Sequence, residues 1–484
     1  MTPVERPLEL SADEMQRLVA AAMERLVPHL ESLPNQPAHD LEDAADVARA
    51  LVEPLPETGT APDALLDLLF ERAVPKSFNT AGPGYLAYIP GGGLFPSAVA
   101  ALIADAVNRY VGVWLAAPAL VQIEMNVIRW FCDLVGYGPD SGGILTSGGS
   151  LANFSAVVAA RRDKLPENFL SGRFYVSDQA HHSLDKAAML AGFPSDAVRV
   201  IPVDGQYRMR LDALQEAIAA DRRDGRTPFL VVGGAGTTNT GAVDDLAGLA
   251  AIAAREGLWF HADAAYGGFF LMTSRGRGTL RGIERADSIT LDPHKGLFLP
   301  YGSGSLLVKR RRTLRRAHER DAAYLPEMRE GDEFVDFCQI SPELSRGFRG
   351  LRVWLPMKLA GAEAFRRNLD EKLDLTTWAH EQLREIPGLV IVAEPQLSIV
   401  AFRLATAGSG RERTNVANRE LLDRINARRR VYLTGTTLDG YFVLRICVLS
   451  FRTHLDRMEA GMADIRAAVA ETLARVSLGQ NGVA

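Results

Sequence analysis

An α/β fold built on a mostly parallel central sheet is predicted by three features of this 484-residue sequence. In the middle third, short apolar runs end repeatedly in polar or glycine-rich turns and lead into helical patterns, as strands alternating with helices do. Before about residue 90 the chain reads as helices and proline-containing loops. Beyond about residue 360, a long helical stretch precedes four short apolar segments and a last helix. The expected division is an N-terminal helical arm over 1–90, a large domain over 91–360 and a small α+β domain over 361–484.

The arm opens with Ser11-Ala12-Asp13-Glu14, which has the form of a capping box. Met15, Leu18, Val19, Ala22, Met23 and Leu26 then recur at helical spacing. Prolines and Pro90-Gly91-Gly92-Gly93 follow, so the arm is expected to wrap another surface rather than hold its own core. In the large domain, residues 143–146 run into Ser147-Gly148-Gly149-Ser150 and the helical stretch 151–162. Residues 174–176 end at Ser177, 229–232 at Gly233, 258–262 at Asp263 and 288–291 at Asp292; 305–308 closes the series. In parallel sheets ligands bind beyond the C-terminal strand ends, and the polar clusters fall there. In the last third, strands are expected over 389–392, 399–404, 431–434 and 441–448, with a final helix from about Leu455.

Composition excludes several classes. Lys+Arg 54 against Asp+Glu 59 gives a net charge of −5, too balanced for a nucleic-acid or membrane-surface partner. Cys132, Cys338 and Cys447 are distant and odd in number, against a disulfide framework or a clustered zinc site. Reduced thiols in a cytoplasmic protein are the expectation. No basic head precedes an apolar run at the N-terminus, and Asp105 interrupts the apolar stretch 98–107. The basic run 309–316 reads as the start of a solvated helix.

Three strand ends carry chemistry. Ser147–Ser150 lies between a strand and a helix, where glycines let an anion approach the free N–H groups of a helix N-terminus. It matches neither the Walker pattern nor GxGxxG, which disfavours a nucleoside triphosphate or dinucleotide. Asp263, read alone, could bind a metal, cap a turn or pair with a cationic ring; no spaced ligand companions favour the metal. Lys295, read alone, is a surface loop lysine or a desolvated amine able to form a Schiff base. Taken together, an anion cradle, a carboxylate, an amine and the flat ring of His181 fit pyridoxal 5′-phosphate.

The chain closely resembles the group II pyridoxal-phosphate-dependent amino-acid decarboxylases from about Gly84 to its C-terminus. The matching stretches are TSGGSLAN (146–153), SDQAHHS (177–183), GTTNTGAVDD (236–245), WFHADAAYGG (259–268), ADSITLDPHKG (286–296) and RGFRGLRVWL (346–355). The resemblance implies the aminotransferase-like type I fold and an obligate homodimer with a shared active site. It implies that Lys295 holds the cofactor, that Asp263 pairs with the pyridinium and that His181 stacks on the ring and orients the substrate. Gly148, Gly149, Ser150 and His294 would hold the phosphate, assisted by Asp292 and Ser288, with Thr238 and Ala265 beside the ring. Tyr324 falls where the family keeps a mobile-loop tyrosine that protonates Cα after carbon dioxide leaves. Tyr88, Pro90, Trp114 and His182 fall where it builds the substrate pocket.

Asp292 and Gly296 stand where the animal aromatic enzymes carry asparagine and tryptophan, His182 at a position often held by serine, and Ala81 where an aromatic would help line a substrate pocket. The resulting expectation is decarboxylation of an L-amino acid, preferably an aromatic one such as tryptophan, tyrosine, phenylalanine or DOPA. Alternatives are glutamate or diaminobutyrate as substrate, or decarboxylation coupled to oxidative deamination or transamination. Tyrosine at 324 favours plain decarboxylation, because aldehyde-forming relatives tend to carry phenylalanine there. A non-catalytic dimeric scaffold is disfavoured by retention of Lys295, Asp263 and His181.

Overall fold

The computed structural model describes residues 8–320, 334–406 and 410–481. Seven strands form the large sheet: β1 Gly142–Thr146, β2 Gly172–Ser177, β3 Val198–Ile201, β4 Thr227–Gly234, β5 Trp259–Asp263, β6 Ser288–Leu291 and β7 Gly304–Val308. Their order is β1-β7-β6-β5-β4-β2-β3. Strands β3, β2, β4, β5 and β6 pair in parallel, and β7 runs antiparallel to both β6 and β1. Two reversals across β7 leave β1 pointing the same way as β6. The C-terminal ends of β1, β2, β4, β5 and β6 therefore share one edge of the sheet.

Every residue of β2, β6 and β7 is buried, as expected for strands covered on both faces. Helices Gly149–Lys164, Ser183–Leu190, Leu211–Arg223 and Leu246–Glu256 connect the strands and close the core. Behind β1, Arg346 pairs with the fully buried Glu124 at 2.5 Å, and Gly350 N–H donates to the same carboxylate at 3.0 Å. The 346–355 stretch thus anchors the helix Gly350–Arg384 to the sheet; that helix is broken at Gly361, which has φ +75°.

Beyond it lies a second, four-stranded antiparallel sheet: β8 Leu389–Ala393, β9 Ile399–Leu404, β10 Thr434–Leu438 and β11 Tyr441–Cys447, in the order β10-β11-β9-β8. Asp439-Gly440 joins β10 to β11 with positive φ at both residues, the twist a two-residue hairpin needs. Helices Arg411–Ala427 and Leu455–Asn481 back this sheet over its own core.

One expectation needs correction. Residues 431–433 do not join the sheet, because the arm claims their backbone: Tyr432 N–H donates to Gly84 O and Leu86 N–H to Tyr432 O. The ladder begins one step later, at Thr434. The edge strand β3, Val-Arg-Val-Ile with only Ile201 buried, is not among the expected strands although its β-branched residues are a strand signal.

In the arm, helix Ala12–Ser32 carries the expected capping box: Glu14 N–H donates to Ser11 Oγ and Ser11 N–H to Glu14 Oε2. None of its residues is buried. Among the described residues, no helix is long and apolar enough to cross a membrane, and no cluster of three or more His, Cys, Asp or Glu could hold a metal.

Candidate active site

A cavity of about 290 Å³ opens at the shared edge of the large sheet. Gly148, Gly149, Ser150, His181, Thr238, Asp263, Ala265, Asp292, His294 and Lys295 all line it. The polar ends of separate strands thus converge on one space.

The anion cradle is built by β1 and the helix that follows it. The first N–H groups of helix Gly149–Lys164 have no partner within the helix, and its dipole favours negative charge. Close packing demands glycine here. A Cβ on Gly149 would stand 2.9 Å from Asp292 Oδ2 and 3.3 Å from Ala265 Cβ. Across the cavity, the turn after β6 carries His294 and Lys295. His294 Nδ1 accepts from Ser303 N–H at 3.3 Å, and burial lowers its pKa, with Asp292 acting in the opposite sense. Lys295 Nζ lies 3.0 Å from Asp292 Oδ2. The other oxygen, Oδ1, is buried without a hydrogen-bond partner. Asp292 is therefore buried and pairs with the cavity's amine.

Asp263, at the end of β5, accepts from Ala265 N–H at 3.2 Å and from Asn153 Nδ2 at 3.0 Å. Behind it lies His261, fully buried, its pKa pushed down to about 4 chiefly by desolvation. His181 rises from the β2 end. Burial lowers its pKa as well, against the pull of Asp263 and with a smaller push from Lys295.

The remaining candidates separate. Ser288 is fully buried at the start of β6, away from the cavity, where its hydroxyl accepts from Trp259 Nε1 at 2.8 Å and meets His261 Nδ1 at 2.8 Å. It is a strut of the sheet and not part of the cradle. Tyr88, Pro90, Trp114 and His182 do not line the cavity. Tyr88 is 52% exposed at φ +47°. Pro90 is buried beside Gly91, where a Cβ would touch His294 O at 2.8 Å. Trp114 packs edge-on against Phe334, and His182 is exposed, its ring 4.2 Å from that of His181. Tyr324 lies outside the described residues. Sequence reading missed Asn153, Ser183 and Gln179 in the cavity wall. A buried asparagine within an otherwise small and apolar helix segment was the available signal for the first.

The residues fit pyridoxal 5′-phosphate: an uncovered helix N-terminus at one end, an ionisable carboxylate at the other, an amine between them and an aromatic ring on the wall. Comparison with known proteins agrees. The family model described as "Pyridoxal-dependent decarboxylase conserved domain" matches residues 59–405. The chain is 34% identical to an aromatic-L-amino-acid decarboxylase of Bacillus atrophaeus, over 96% of this chain and 97% of that one. It is 30% identical to histidine decarboxylase of Rattus norvegicus over 83% of this chain and 63% of the relative. Among solved structures, Oryza sativa TDC with PLP and tryptamine superposes with a TM-score of 0.91 at 26% identity, covering 97% and 99% of the two chains. Catharanthus roseus tryptophan decarboxylase in complex with L-tryptophan does so at 0.89 and 25%, covering 97% and 100%. With a cavity of this chemistry on the type I fold, the chain belongs to the pyridoxal-dependent decarboxylases and is a PLP-dependent amino-acid decarboxylase.

Proposed function

We propose that the substrate is an aromatic L-amino acid, converted to carbon dioxide and the primary amine. The observation that carries this reading is the end-to-end match to a relative named for aromatic amino acids. When bound, pyridoxal 5′-phosphate supplies a sink for the electron pair released as the Cα–carboxylate bond breaks. Lys295 supplies the amine that anchors it, and Asp263 keeps the ring nitrogen protonated. Gly149, Ser150 and His294 take the phosphate. His181, kept neutral by burial, covers the ring and orients the substrate carboxylate. Incubation with each L-amino acid, followed by identification of the products, tests the proposal; exclusive consumption of non-aromatic substrates overturns it.

Three expectations accompany the reading. First, the carboxylate of Asp292 opposes a phosphate dianion and pairs with the Lys295 amine at 3.0 Å. Asp292→Asn should therefore tighten cofactor capture by about tenfold at neutral pH. Titration of cofactor-free protein, followed by fluorescence quenching, checks the direction.

Second, Tyr324 is proposed as the acid that protonates Cα. Tyr324→Phe removes only the hydroxyl, so cofactor absorbance should persist while amine formation slows by about 10²–10⁴-fold. Oxygen then competes, and aldehyde, ammonia and peroxide replace part of the amine. Amine formed at the parental rate without aldehyde would return the tyrosine to a packing role.

Third, the working unit is an obligate homodimer in the cytoplasm, with the chain divided at about residues 90 and 360. Leu8, Met15, Leu18 and Val19 of the arm are exposed, as are Leu102, Ile103 and Val107 of helix Phe95–Val107. A second copy covering them would bury an interface of roughly 2,000 Å² or more. Sedimentation velocity should show a dimer at working concentrations; a fully active monomer contradicts it.

A further inference from the structure

Asn153 projects from helix Gly149–Lys164 into the wall of the cavity and is almost completely buried. A carboxamide offers two N–H donors and two acceptor sites. All four are used. Nδ2 donates to Asp263 Oδ2 at 3.0 Å and to Ser183 Oγ at 2.9 Å. Oδ1 accepts from Thr290 Oγ1 at 2.8 Å and faces His261 Nε2 at 3.1 Å. The partners come from β5, β6 and the helix Ser183–Leu190, so this one amide ties four elements together.

The Asp263 carboxylate permits only one orientation of this amide, because a flipped amide would set oxygen against oxygen. That choice propagates in both directions. Behind Asn153, His261 Nε2 must carry its proton to donate to Oδ1. Its Nδ1 is then an acceptor for the hydroxyl of Ser288, which itself accepts from Trp259 Nε1. In front, the Ser183 hydroxyl accepts from Asn153 and gives its own hydrogen to His181 Nδ1 at 2.8 Å. Ser183 N–H also points at that nitrogen, at 3.2 Å. Nδ1 of His181 is thus an acceptor twice over, and its proton belongs on Nε2.

We propose that Asn153 is a positioning residue that serves both cofactor-facing groups at once, holding the Asp263 carboxylate in place and aiming the Ser183 hydroxyl at His181 Nδ1, where it reinforces the acceptor role already set by Ser183 N–H. The inference rests on the decarboxylase reading for its purpose, but not for its geometry. A buried amide that merely filled space could be exchanged for a smaller side chain without altering a histidine on another element. Asn153 cannot, because the His261 tautomer behind it and the direction of the Ser183 hydroxyl in front of it both depend on its amide.

The test uses full-length cofactor-free protein labelled with ¹⁵N at histidine. In the parent, the His181 imidazole should show one deprotonated nitrogen, Nδ1, and one protonated nitrogen, Nε2. In Asn153→Ala the Ser183 hydroxyl is free to turn, and the His181 Nδ1 shift should move as that nitrogen loses its hydroxyl donor while keeping Ser183 N–H. Affinity for added pyridoxal 5′-phosphate should fall by about tenfold or more as Asp263 loses a donor. Ser183→Ala leaves the Asp263 bond intact, so it should change the His181 shifts and cost clearly less cofactor affinity than Asn153→Ala. Unchanged shifts and unchanged affinity in a folded Asn153→Ala protein overturn the proposal. If that variant does not fold, Ser183→Ala with parental His181 shifts overturns the His181 half. Asn153→Ser with parental cofactor affinity then overturns the Asp263 half. A failed decarboxylase reading appears separately, as a loaded parent that releases no carbon dioxide from any amino acid.

Discussion

Lys295→Ala is expected to give a folded protein that binds pyridoxal 5′-phosphate weakly, lacks the absorbance band of the covalently held cofactor and releases carbon dioxide at least about 10⁴-fold more slowly. Such a loss is at the top of the range for one catalytic group, because the amine both anchors the cofactor and exchanges with the substrate amine. The fold should survive for a local reason. Lys295 sits in a short turn after β6, and its Nζ makes one close ionic contact, to Asp292 at 3.0 Å. The backbone of that turn is held independently, by Lys295 N–H to Asp292 O and His294 N–H to Ser303 O. Absorbance, circular dichroism and carbon dioxide release from one preparation check all three parts. A variant keeping both the band and the activity would remove Lys295 from the chemistry.

Asp263→Asn should have the second-largest effect. An ionised carboxylate at the end of β5 is the group able to keep the ring nitrogen of the bound cofactor positive while charge develops on it, and such preorganised electrostatics are worth about 10²–10³ in kcat. An amide at this position cannot hold that proton, and it would also turn a donor toward the Asn153 amide in place of the bond at 3.0 Å. The variant should therefore lose about 10²–10³-fold in kcat at neutral pH. Its loss should shrink as pH falls, because solution protons then supply what the carboxylate no longer retains. The pH profile of kcat is the decisive measurement. A uniform loss at every pH would indicate that Asp263 positions the cofactor without controlling its proton.

Neither prediction needed the tertiary structure to name its residue. Lys295, Asp263 and His181 each follow an apolar run too short for a helix, in a chain where such runs alternate with helical patterns. A parallel sheet aligns the C-terminal ends of its strands, so residues far apart in sequence but alike in strand position meet at one edge. That rule gathered ten of the expected residues around one cavity. The fold class was legible by the same logic, because burial on both faces makes strands read as continuous apolar runs.

What the tertiary structure decided concerns position along a strand and contacts between elements. Ser288 pairs with His261, two residues short of the level of Asp263, roughly 7 Å of strand. It therefore braces His261 and Trp259 behind the cavity wall, although it lies in the same motif as Lys295. Residues 431–433 carry strand chemistry, yet the arm outcompetes the sheet for their backbone, a contact between segments more than three hundred residues apart. Asn153 shows the difference most plainly. Within its helix it is one polar residue among small and apolar ones, and local pattern cannot say which groups it will meet. The sequence by itself determined that Lys295, Asp263 and His181 reach the ligand edge, because the end of an apolar strand is marked locally. Which proton sits on which nitrogen was decided only where a helix crosses the sheet and one amide must satisfy four partners from three other elements.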